Sequence, residues 1–463
     1  MTRTRDWWGS ALLQRGGDDE VWAWGSHAVT HAGLREAVAR LAARFEAAGV
    51  GPGASVVLRL PPSLTLIQSM LALWSLGSQV ILADVRLKPS EVARTLDLLR
   101  PTHQVHSTDA HQPFTPFRDR CEVLVERLPE GSAAVADVVL VQLSSGSTGL
   151  PKVIGRSAES LLSELRRHAD IAGMPGPGER VLVLSSIIHA FGLMAGVLHA
   201  LRVGAQVVFA DRLQPDDLLH RARTAEVAVI LGVPAHFDLL ARASGEERMP
   251  RLRVAASAGE ALTAAVRQRF LDRYGVRLGQ EYGMTEVGVI AADLRGEHPT
   301  PSVGTLAPGI EAHSVGGELR VRLERSPYLY AEGSDRHADG WLRTCDRGEL
   351  DPVTGALRLA GRTDSLVAVG GLKVDLGEVE AALREHAGVR DLVVVFGDGI
   401  EAHVEAEPSV DATALMAWCR ERLSDYKLPR RIYLVPAIPR NATGKLLRNR
   451  DLLHAAYDGS GPA

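Results

Sequence analysis

Short apolar runs alternate along the chain with longer segments that have a helical pattern of apolar residues. The clearest pairs are residues 55–60 before 64–76, 79–82 before 90–99, and 227–231 before 235–243. Uninterrupted apolar runs of strand length are typical of parallel strands that are buried on both faces. The alternation therefore predicts largely parallel sheets whose strands are joined by crossover connections and covered by helices.

The most hydrophobic region, residues 181–210, follows the same pattern. It is interrupted by His189, His199 and Arg202, and it divides into a strand-like 181–184, a helix-like 193–201 and a strand-like 206–209. A membrane helix needs about 20 consecutive apolar residues. The region therefore predicts a buried β-α-β unit, in which His199 is an ordinary core residue.

Glycine and charged residues become more frequent between residues 316 and 371, where 317–322 and 355–359 predict short strands of a smaller sheet. Beyond this part, residues 377–385 and 412–423 have helical patterns, and residues 389–396 and 431–434 have strand patterns. We expect the C-terminal part to form a small α+β domain.

Composition indicates a large protein with more than one domain. The chain has 463 residues, of which 46% are hydrophobic and 23% are charged, and this length exceeds that of a usual single domain. A net charge of -4 gives no general attraction to nucleic acid or to an anionic membrane. Three widely spaced cysteines indicate neither a disulfide framework nor a thiolate metal site. The charged N-terminus lacks the apolar core of a secretory signal, so the expected location is the cytoplasm.

Residues 142–152, with the sequence QLSSGSTGLPK, carry the strongest chemical signal. The loop follows the apolar run 138–141 and combines four hydroxyls with glycines and a terminal lysine. Glycines let backbone N–H groups face an anion, while the hydroxyls and Lys152 add donors and charge, so the pattern predicts a phosphate loop for ATP. Leu150 and Pro151 separate Gly149 from Lys152, which excludes the P-loop of NTPases. Taken alone, the loop could also be a flexible connection.

Three further motifs follow in order. They are residues 280–286 (QEYGMTE), 340–346 (GWLRTCD) with 361–364 (GRTD), and 439–445 (PRNATGK). Together with the first loop they resemble the signature set of the adenylate-forming superfamily, which includes acyl-CoA synthetases, adenylation domains of peptide synthetases and beetle luciferases. The resemblance covers almost the whole chain. It implies an α/β domain at 1–363 that binds ATP and acid, with a β-rich subdomain, and a mobile α+β domain at 364–463 that turns about Asp364.

The resemblance also implies roles in adenylation, the joining of a carboxylic acid to the α-phosphate of ATP. Lys445 would bridge the carboxylate and the α-phosphate, Thr285 would contact the α-phosphate, and Glu286 would hold Mg²⁺. Magnesium prefers hard oxygen ligands and keeps several waters, so one carboxylate plus ATP is enough. Taken alone, Lys445 could be a solvated charge, and the Met-Thr-Glu run could cap a helix.

The same resemblance places Tyr282 against the adenine, Asp346 on the ribose hydroxyls, and Arg362 on ribose or phosphate. The other residues expected to contact ATP are Ser144, Ser145, Gly146, Ser147, Thr148, Gly149, Lys152, Ala258, Gly259, Glu260, Glu281, Gly283 and Met284.

Residues 186–192 (SIIHAFG) resemble the run that lines the acid pocket. Ala190 stands where amino-acid-activating members carry an aspartate, and burying an ammonium without a partner costs several kcal/mol. His189, Phe191 and Gly192 resemble the luciferase, aryl-acid and fatty-acyl branches, in which the histidine lies near the substrate carboxylate. A hydrophobic acyl or aryl acid is therefore expected. The other pocket residues would be Met194, Gly259, Val289 and Ile290.

Glu281 leaves two interpretations open, since it could bind a basic or hydroxyl substituent of the substrate or hydrogen-bond to the backbone. Two departures from the family pattern are Ala368, which replaces a lysine that some members use in the second step, and a shortened loop at 327–330.

The second step requires an acceptor for the acyl group. Residues 369–373 (VGGLK) resemble the glycine loop whose Gly370 and Gly371 line the tunnel for a phosphopantetheine thiol after the small domain rotates. No carrier motif follows Lys445, so we expect a stand-alone enzyme that uses CoA or a separate carrier protein, and the sequence does not decide between them. The alternatives are a ligase with an amine or other acceptor, a stand-alone amino-acid adenylation enzyme, and a non-catalytic nucleotide sensor.

Overall fold

The computed structural model of the protein describes residues 7–108, 117–144, 152–245, 248–331, 333–362, 365–439 and 448–457. The chain divides into two compact units. Unit 1 comprises Met1–Val85, Leu99–Leu143 and Val153–Thr363, and unit 2 comprises Arg86–Leu98, Ser144–Lys152 and Asp364–Ala463. Unit 2 thus includes two segments outside the predicted C-terminal domain, and the predicted division into 1–363 and 364–463 stays a prediction.

The α-helices of the described residues are α1 (Ser10–Gln14), α2 (His31–Ala47), α3 (Leu64–Ser75), α4 (Pro89–Leu99), α5 (Ala158–Asp170), α6 (His199–Val203), α7 (Pro215–Thr224), α8 (Pro234–Ala241), α9 (Ala264–Tyr274), α10 (Leu376–Arg384), α11 (Ala412–Arg422) and α12 (Arg450–Tyr457).

The first strands are β1 (Val21–Trp24), β2 (Ala28–Thr30), β3 (Ser55–Arg59), β4 (Gln79–Leu82), β5 (His103–His106), β6 (Leu124–Arg127), β7 (Leu140–Ser144), β8 (Lys152–Arg156), β9 (Arg180–Val183), β10 (Gln206–Val208), β11 (Val229–Gly232), β12 (Val254–Ala258) and β13 (Leu278–Met284). The remaining strands are β14 (Gly288–Asp293), β15 (Ser302–Leu306), β16 (Ala312–Val315), β17 (Glu318–Arg322), β18 (His337–Ala338), β19 (Trp341–Leu350), β20 (Ala356–Arg362), β21 (Leu366–Val369), β22 (Leu372–Asp375), β23 (Val389–Phe396), β24 (Ile400–Ala406) and β25 (Arg431–Leu434).

Two sheets contain most of these strands. A 14-stranded sheet has the order β16-β17-β19-β20-β15-β14-β13-β12-β11-β9-β10-β1-β2, with β18 paired to β19, and a six-stranded sheet has the order β6-β5-β3-β4-β7-β8. Strands β9 to β13 pair in parallel, whereas β13 to β20 pair antiparallel. This confirms the predicted fold class, with parallel, helix-covered strands and a β-rich part. The expectation of a separate smaller sheet is wrong, because β17 and β20, which contain most of 317–322 and 355–359, belong to the 14-stranded sheet.

The parallel part of the large sheet is buried on both faces. In β9, Val181 and Val183 belong to one apolar cluster, while Leu182 between them belongs to another. Side chains alternate between the faces of a strand, so a strand covered by helices on both sides must be apolar at every position. This is the reason why an uninterrupted apolar run predicted these strands correctly.

The region at 181–210 forms the predicted strand-helix-strand unit, with β9 and β10 as parallel neighbours. Its helix differs from the prediction, because Phe191–Leu198 is a π-helix that continues into α6. His199 is confirmed as a core residue: it is buried, and its Nε2 lies 3.0 Å from the carbonyl oxygen of Pro175. Burial lowers the pKa of His199 to about 4, so the ring is neutral and donates to that carbonyl.

In the described residues no helix combines the length and the apolar character that crossing a membrane requires.

The C-terminal part of unit 2 is the predicted α+β structure, and its three-stranded sheet has the order β23-β24-β25. Helices α10 and α11 cover one face through Val379, Leu383 and Leu415, and α12 covers the other through Leu453. Strands β21 and β22 form a hairpin whose turn residues Gly370 and Gly371 have φ of 57° and 82°. Left-handed backbone at both positions of a two-residue hairpin turn favours glycine.

Candidate active site

The candidate site lies where the parallel strands of unit 1 end. Strands β9, β11, β12 and β13 run in the same direction, so their carboxyl ends share one edge of the sheet. Ligands of open α/β sheets bind at this edge. The predicted residues Gly259 and Thr285 follow β12 and β13, and Ala258 is the register partner of Glu281.

A buried carboxylate brings three predicted nucleotide residues together. Asp346 on β19 is 8% exposed; its Oδ2 accepts the Tyr282 hydroxyl at 2.6 Å, and its Oδ1 accepts an Arg362 N–H at 2.7 Å. Burial and the nearby carboxylate raise the pKa of Tyr282 well above its ordinary value, which keeps the hydroxyl protonated as a donor. Each carboxylate oxygen can accept more than one hydrogen bond, so Asp346 keeps capacity for a further donor such as a ribose hydroxyl.

Thr285 and Glu286 lie in the turn between β13 and β14, so the alternative interpretation as a helix cap is wrong. The strands meet closely here, because a Cβ on Gly283 would lie 2.5 Å from the carbonyl oxygen of Gly288. Glu286 is 6% exposed. Its Oε1 accepts the Tyr328 hydroxyl at 2.9 Å and lies 3.8 Å from the buried guanidinium of Arg336.

Tyr328 belongs to the loop that is shortened relative to the family pattern. The segment pairs with β8 through Gly155 N to Pro327 O at 2.8 Å and Leu329 N to Val153 O at 3.0 Å. This backbone pairing fixes the tyrosine beside Glu286. Burial and the neighbouring carboxylate raise the pKa of Tyr328 above its ordinary value, so it remains a hydrogen-bond donor.

A buried ion pair that sequence reasoning missed supports the same turn. Arg156 on β8 and Glu164 on α5 lie 2.8 Å apart, with side chains only 3% and 2% exposed. Arg156 also donates to the carbonyl oxygen of Thr285 at 3.3 Å, and Glu164 accepts the backbone N–H of Val289 at 3.3 Å. The pair therefore links β8 with both ends of the Thr285–Glu286 turn.

Of the residues predicted for the acid pocket, those of the 186–194 segment lie in the loop after β9 and in the π-helix, whereas Gly259 follows β12 and Val289 and Ile290 lie in β14. Gln142 Nε2 donates to the carbonyl oxygen of Ile188 at 2.8 Å, which fixes the loop just before His189. Ala190 precedes the first residue of the π-helix, Phe191. A Cβ on Gly192 would lie 2.4 Å from the carbonyl oxygen of Ser186, so only glycine fits there. Met194 and Val289 are both buried, as predicted wall residues should be.

Glu281 is paired with His168 of α5, a contact that neither earlier interpretation included. Its Oε2 lies 3.3 Å from His168 Nε2, and the two side chains are 5% and 0% exposed. Burial disfavours the imidazolium, but the Glu281 carboxylate outweighs burial and raises the pKa of His168 above its ordinary value. The acidic charge of Glu281 is therefore matched inside the protein.

Several predicted residues belong to unit 2 or lie outside the described residues. Lys152 is the first residue of β8 and is buried, and Ser144 is the last residue of β7. Gly370 and Gly371 form the hairpin turn described above. The residues outside the described ranges are Ser145, Gly146, Ser147, Thr148, Gly149, Asp364 and Lys445.

Comparison with known proteins gave matches over most of the chain. Residues 11–322 match the sequence profile of the family described as AMP-binding enzyme, and residues 378–445 match that of the AMP-binding enzyme C-terminal domain. A feruloyl-CoA synthase from an Amycolatopsis species is 26% identical, over 92% of this chain and 93% of that protein. A naringenin synthase from Pestalotiopsis fici is 26% identical over 90% of this chain, which spans 18% of that protein's length.

The fold has a close counterpart among solved structures. An o-succinylbenzoate CoA synthetase from Bacillus subtilis, a double mutant bound to a product analogue, superposes with a TM-score of 0.82 at 22% identity. The superposition covers 96% of this chain and 97% of that chain.

The Arg156–Glu164 pair generates a stability prediction. Glu164→Gln should lower the free energy of unfolding by about 3–5 kcal/mol, because it leaves a buried guanidinium without its carboxylate. Glu159→Gln on the same helix is the matched control, since its pair with Arg166 is exposed and should be worth less than about 1 kcal/mol. Chemical denaturation of the three proteins measures both effects. Equal stability of the two variants would contradict a structural role for the buried pair.

Proposed function

The chain belongs to the AMP-binding enzyme family of the adenylate-forming superfamily, and we propose that it activates a carboxylic acid with ATP and transfers the acyl group to the thiol of CoA. The observation that carries this proposal is the set of buried, partnered acidic residues at one sheet edge, Asp346 and Glu286, joined to Tyr282 and Arg362. A feruloyl-CoA synthase that is similar over nearly its whole length supports CoA as the acceptor. The thiol of a carrier protein is the other acceptor that the chemistry allows.

In the first step a carboxylate oxygen attacks the α-phosphorus of ATP, and the bond to pyrophosphate breaks. Two anions must approach each other, so the protein mainly supplies positioning and positive charge. Lys445 is proposed to bridge the carboxylate and the α-phosphate, while the Thr285 hydroxyl contacts that phosphate. Tyr282 and Asp346 are proposed to hold the adenosine, with Asp346 fixed by Arg362.

Glu286 suits the binding of Mg²⁺, which prefers hard oxygen ligands. The contacts of Tyr328 and Arg336 both go to Oε1 of the buried carboxylate, so Oε2 is the atom that we assign to the ion. The ion would neutralise phosphate oxygens during the attack. Tyr328 acts in this proposal as a positioning residue, because it orients the carboxylate and touches neither substrate.

In the second step the thiolate attacks the acyl carbonyl carbon, and AMP leaves with the electrons of the carbon–oxygen bond. Lys445 and the Gly370–Gly371 turn serve different steps in this proposal, yet both belong to the C-terminal part of the chain. Rotation about Asp364 is proposed to exchange them.

The pocket favours a hydrophobic acyl or aryl acid without an α-amino group. Ala190 offers no charge to an ammonium, and the nearby acidic candidate Glu281 is already matched by His168 at 3.3 Å. An α-amino acid would therefore bury its ammonium without a partner, at a cost of several kcal/mol. The aromatic acid named in the feruloyl-CoA synthase supports an aryl substrate.

Lys445→Ala tests the assignment of the first step. Adenylation, measured as pyrophosphate exchange, should fall by about 10²- to 10³-fold, as when one positioned transition-state donor is removed. Thioester formation from a synthetic acyl-adenylate should survive far better, because the lysine serves only the first step. The second half-reaction is thus the internal control. An equal fall in the rates of both half-reactions would contradict the role assigned to Lys445.

Tyr328→Phe tests the support of Glu286. Loss of a hydrogen bond to a charged group is worth about 1.5–3 kcal/mol, so the Mg²⁺ concentration that gives half-maximal pyrophosphate exchange should rise about tenfold or more. Tyr330→Phe is the matched control, since Tyr330 is 39% exposed and lies two positions away. An unchanged Mg²⁺ dependence in Tyr328→Phe, with the fold intact, would show that the hydroxyl does not position the metal ligand.

Pairs of acids that differ only in an α-amino group test the pocket. Phenylpropanoate and similar aryl or acyl acids should support pyrophosphate exchange at least about 10²-fold better than phenylalanine and the corresponding amino acids, because several kcal/mol of unpaired charge separates them. A preference for the amino acid within any well-used pair would mean that another acidic group binds the ammonium.

A further inference from the structure

One face of the C-terminal sheet in unit 2 holds a cluster of histidine and glutamate side chains. Ile400, Ala402 and Val404 of β24 point into the apolar core, so Glu401 and His403 between them point to the opposite face. Helix α12 lies over that face with Leu453 in the core. The next residue, His454, joins the cluster.

The distances suit a single metal ion. Glu401, His403 and His454 each offer one ligand atom, and these atoms all lie within 4.8 Å of one another. Zinc binds histidine nitrogen and carboxylate oxygen at about 2.0–2.2 Å, which sets ligands of a tetrahedral site roughly 3.4 Å apart. His454 Nε2 and Glu401 Oε2, now 2.9 Å apart, need to separate by only a few tenths of an ångström.

The surroundings fix the ligands in place. Arg450 donates to both oxygens of Glu401 at 3.0 Å. These two hydrogen bonds orient the carboxylate, as residues that contact metal ligands from outside the metal site do. The His403 ring stacks on Tyr433 with centroids 4.9 Å apart, and the His454 ring meets it edge-on at 5.4 Å.

His454 is the most exposed member of the cluster. The side chains of Glu401 and His454 are 4% and 29% exposed, and His403 is fully buried. An ion can therefore enter past His454, and a water can complete its coordination.

We propose that Glu401, His403 and His454 form a binding site for a zinc-class divalent transition metal. The ion takes the place of the proton shared by His454 and Glu401 and leaves the two Arg450 hydrogen bonds intact. Bound there, it joins β24 to α12, the helix that follows the Lys445 motif in the sequence. The cluster includes none of the residues assigned to adenylation, so its existence does not depend on the proposed function.

Zinc titration of the full-length, metal-stripped protein tests the proposal. The wild-type chain should bind one equivalent of Zn²⁺ with an accompanying rise in the unfolding temperature, and Co²⁺ in its place should give the visible absorption of a four-coordinate ion. His454→Ala should raise the dissociation constant for this Zn²⁺ ion by at least about tenfold. That is the lower end of the loss in affinity caused by changing even a residue that only contacts a metal ligand.

Two further variants keep the test independent of folding. His403→Phe keeps an aromatic ring against Tyr433 and should lose the same equivalent, while His386→Ala removes a histidine that instead contacts Trp418 and should keep it. Unfolding temperatures in EDTA verify that each variant is folded. Absence of a saturable equivalent in the wild type, or its retention in folded His454→Ala, would show that the cluster is only a hydrogen-bonded ion pair network.

Discussion

The structure of unit 1 depends on one constraint, which is that every acidic group buried at the working edge of the sheet needs a matching donor. A buried carboxylate without a partner costs several kcal/mol. Asp346 is matched by Arg362 and Tyr282, Glu286 by Tyr328, Glu164 by Arg156, and Glu281 by His168. These contacts connect β8, α5, β13, β19 and β20, so the same pairs that satisfy buried charge also fix the site.

The pairing also separates the acids by role. Glu164 lies 2.8 Å from Arg156, and Glu281 lies 3.3 Å from His168, with all four side chains buried inside the protein. Asp346 lies within β19 and pairs with Arg362, whereas Glu286 lies in the turn after β13. What these two acids share is a tyrosine hydroxyl that donates to the carboxylate, and they are the acids proposed to contact ATP and its metal.

Sequence patterns predicted the parallel strands β9, β10 and β11 of the large sheet, because burial makes each of these strands apolar over most of its length. Of the residues named from the motifs, Tyr282, Asp346 and Arg362 lie in direct contact, and their roles toward ATP stay predictions. The motifs could not reveal His168 or Tyr328, since His168 is 113 positions from Glu281 and Tyr328 is 42 positions from Glu286. Strand β24 was missed as well, although its alternation of Ile400, Ala402 and Val404 with polar residues was a visible signal.

The central claim is that the assembled residues catalyse adenylation rather than only bind a nucleotide. Exchange of labelled pyrophosphate into ATP by the wild-type protein, with and without a panel of fatty and aryl acids, tests it most directly. Exchange should require Mg²⁺ and appear only when a suitable carboxylic acid is added. Tight ATP binding with no acid-dependent exchange over the whole panel would contradict it and favour a nucleotide sensor.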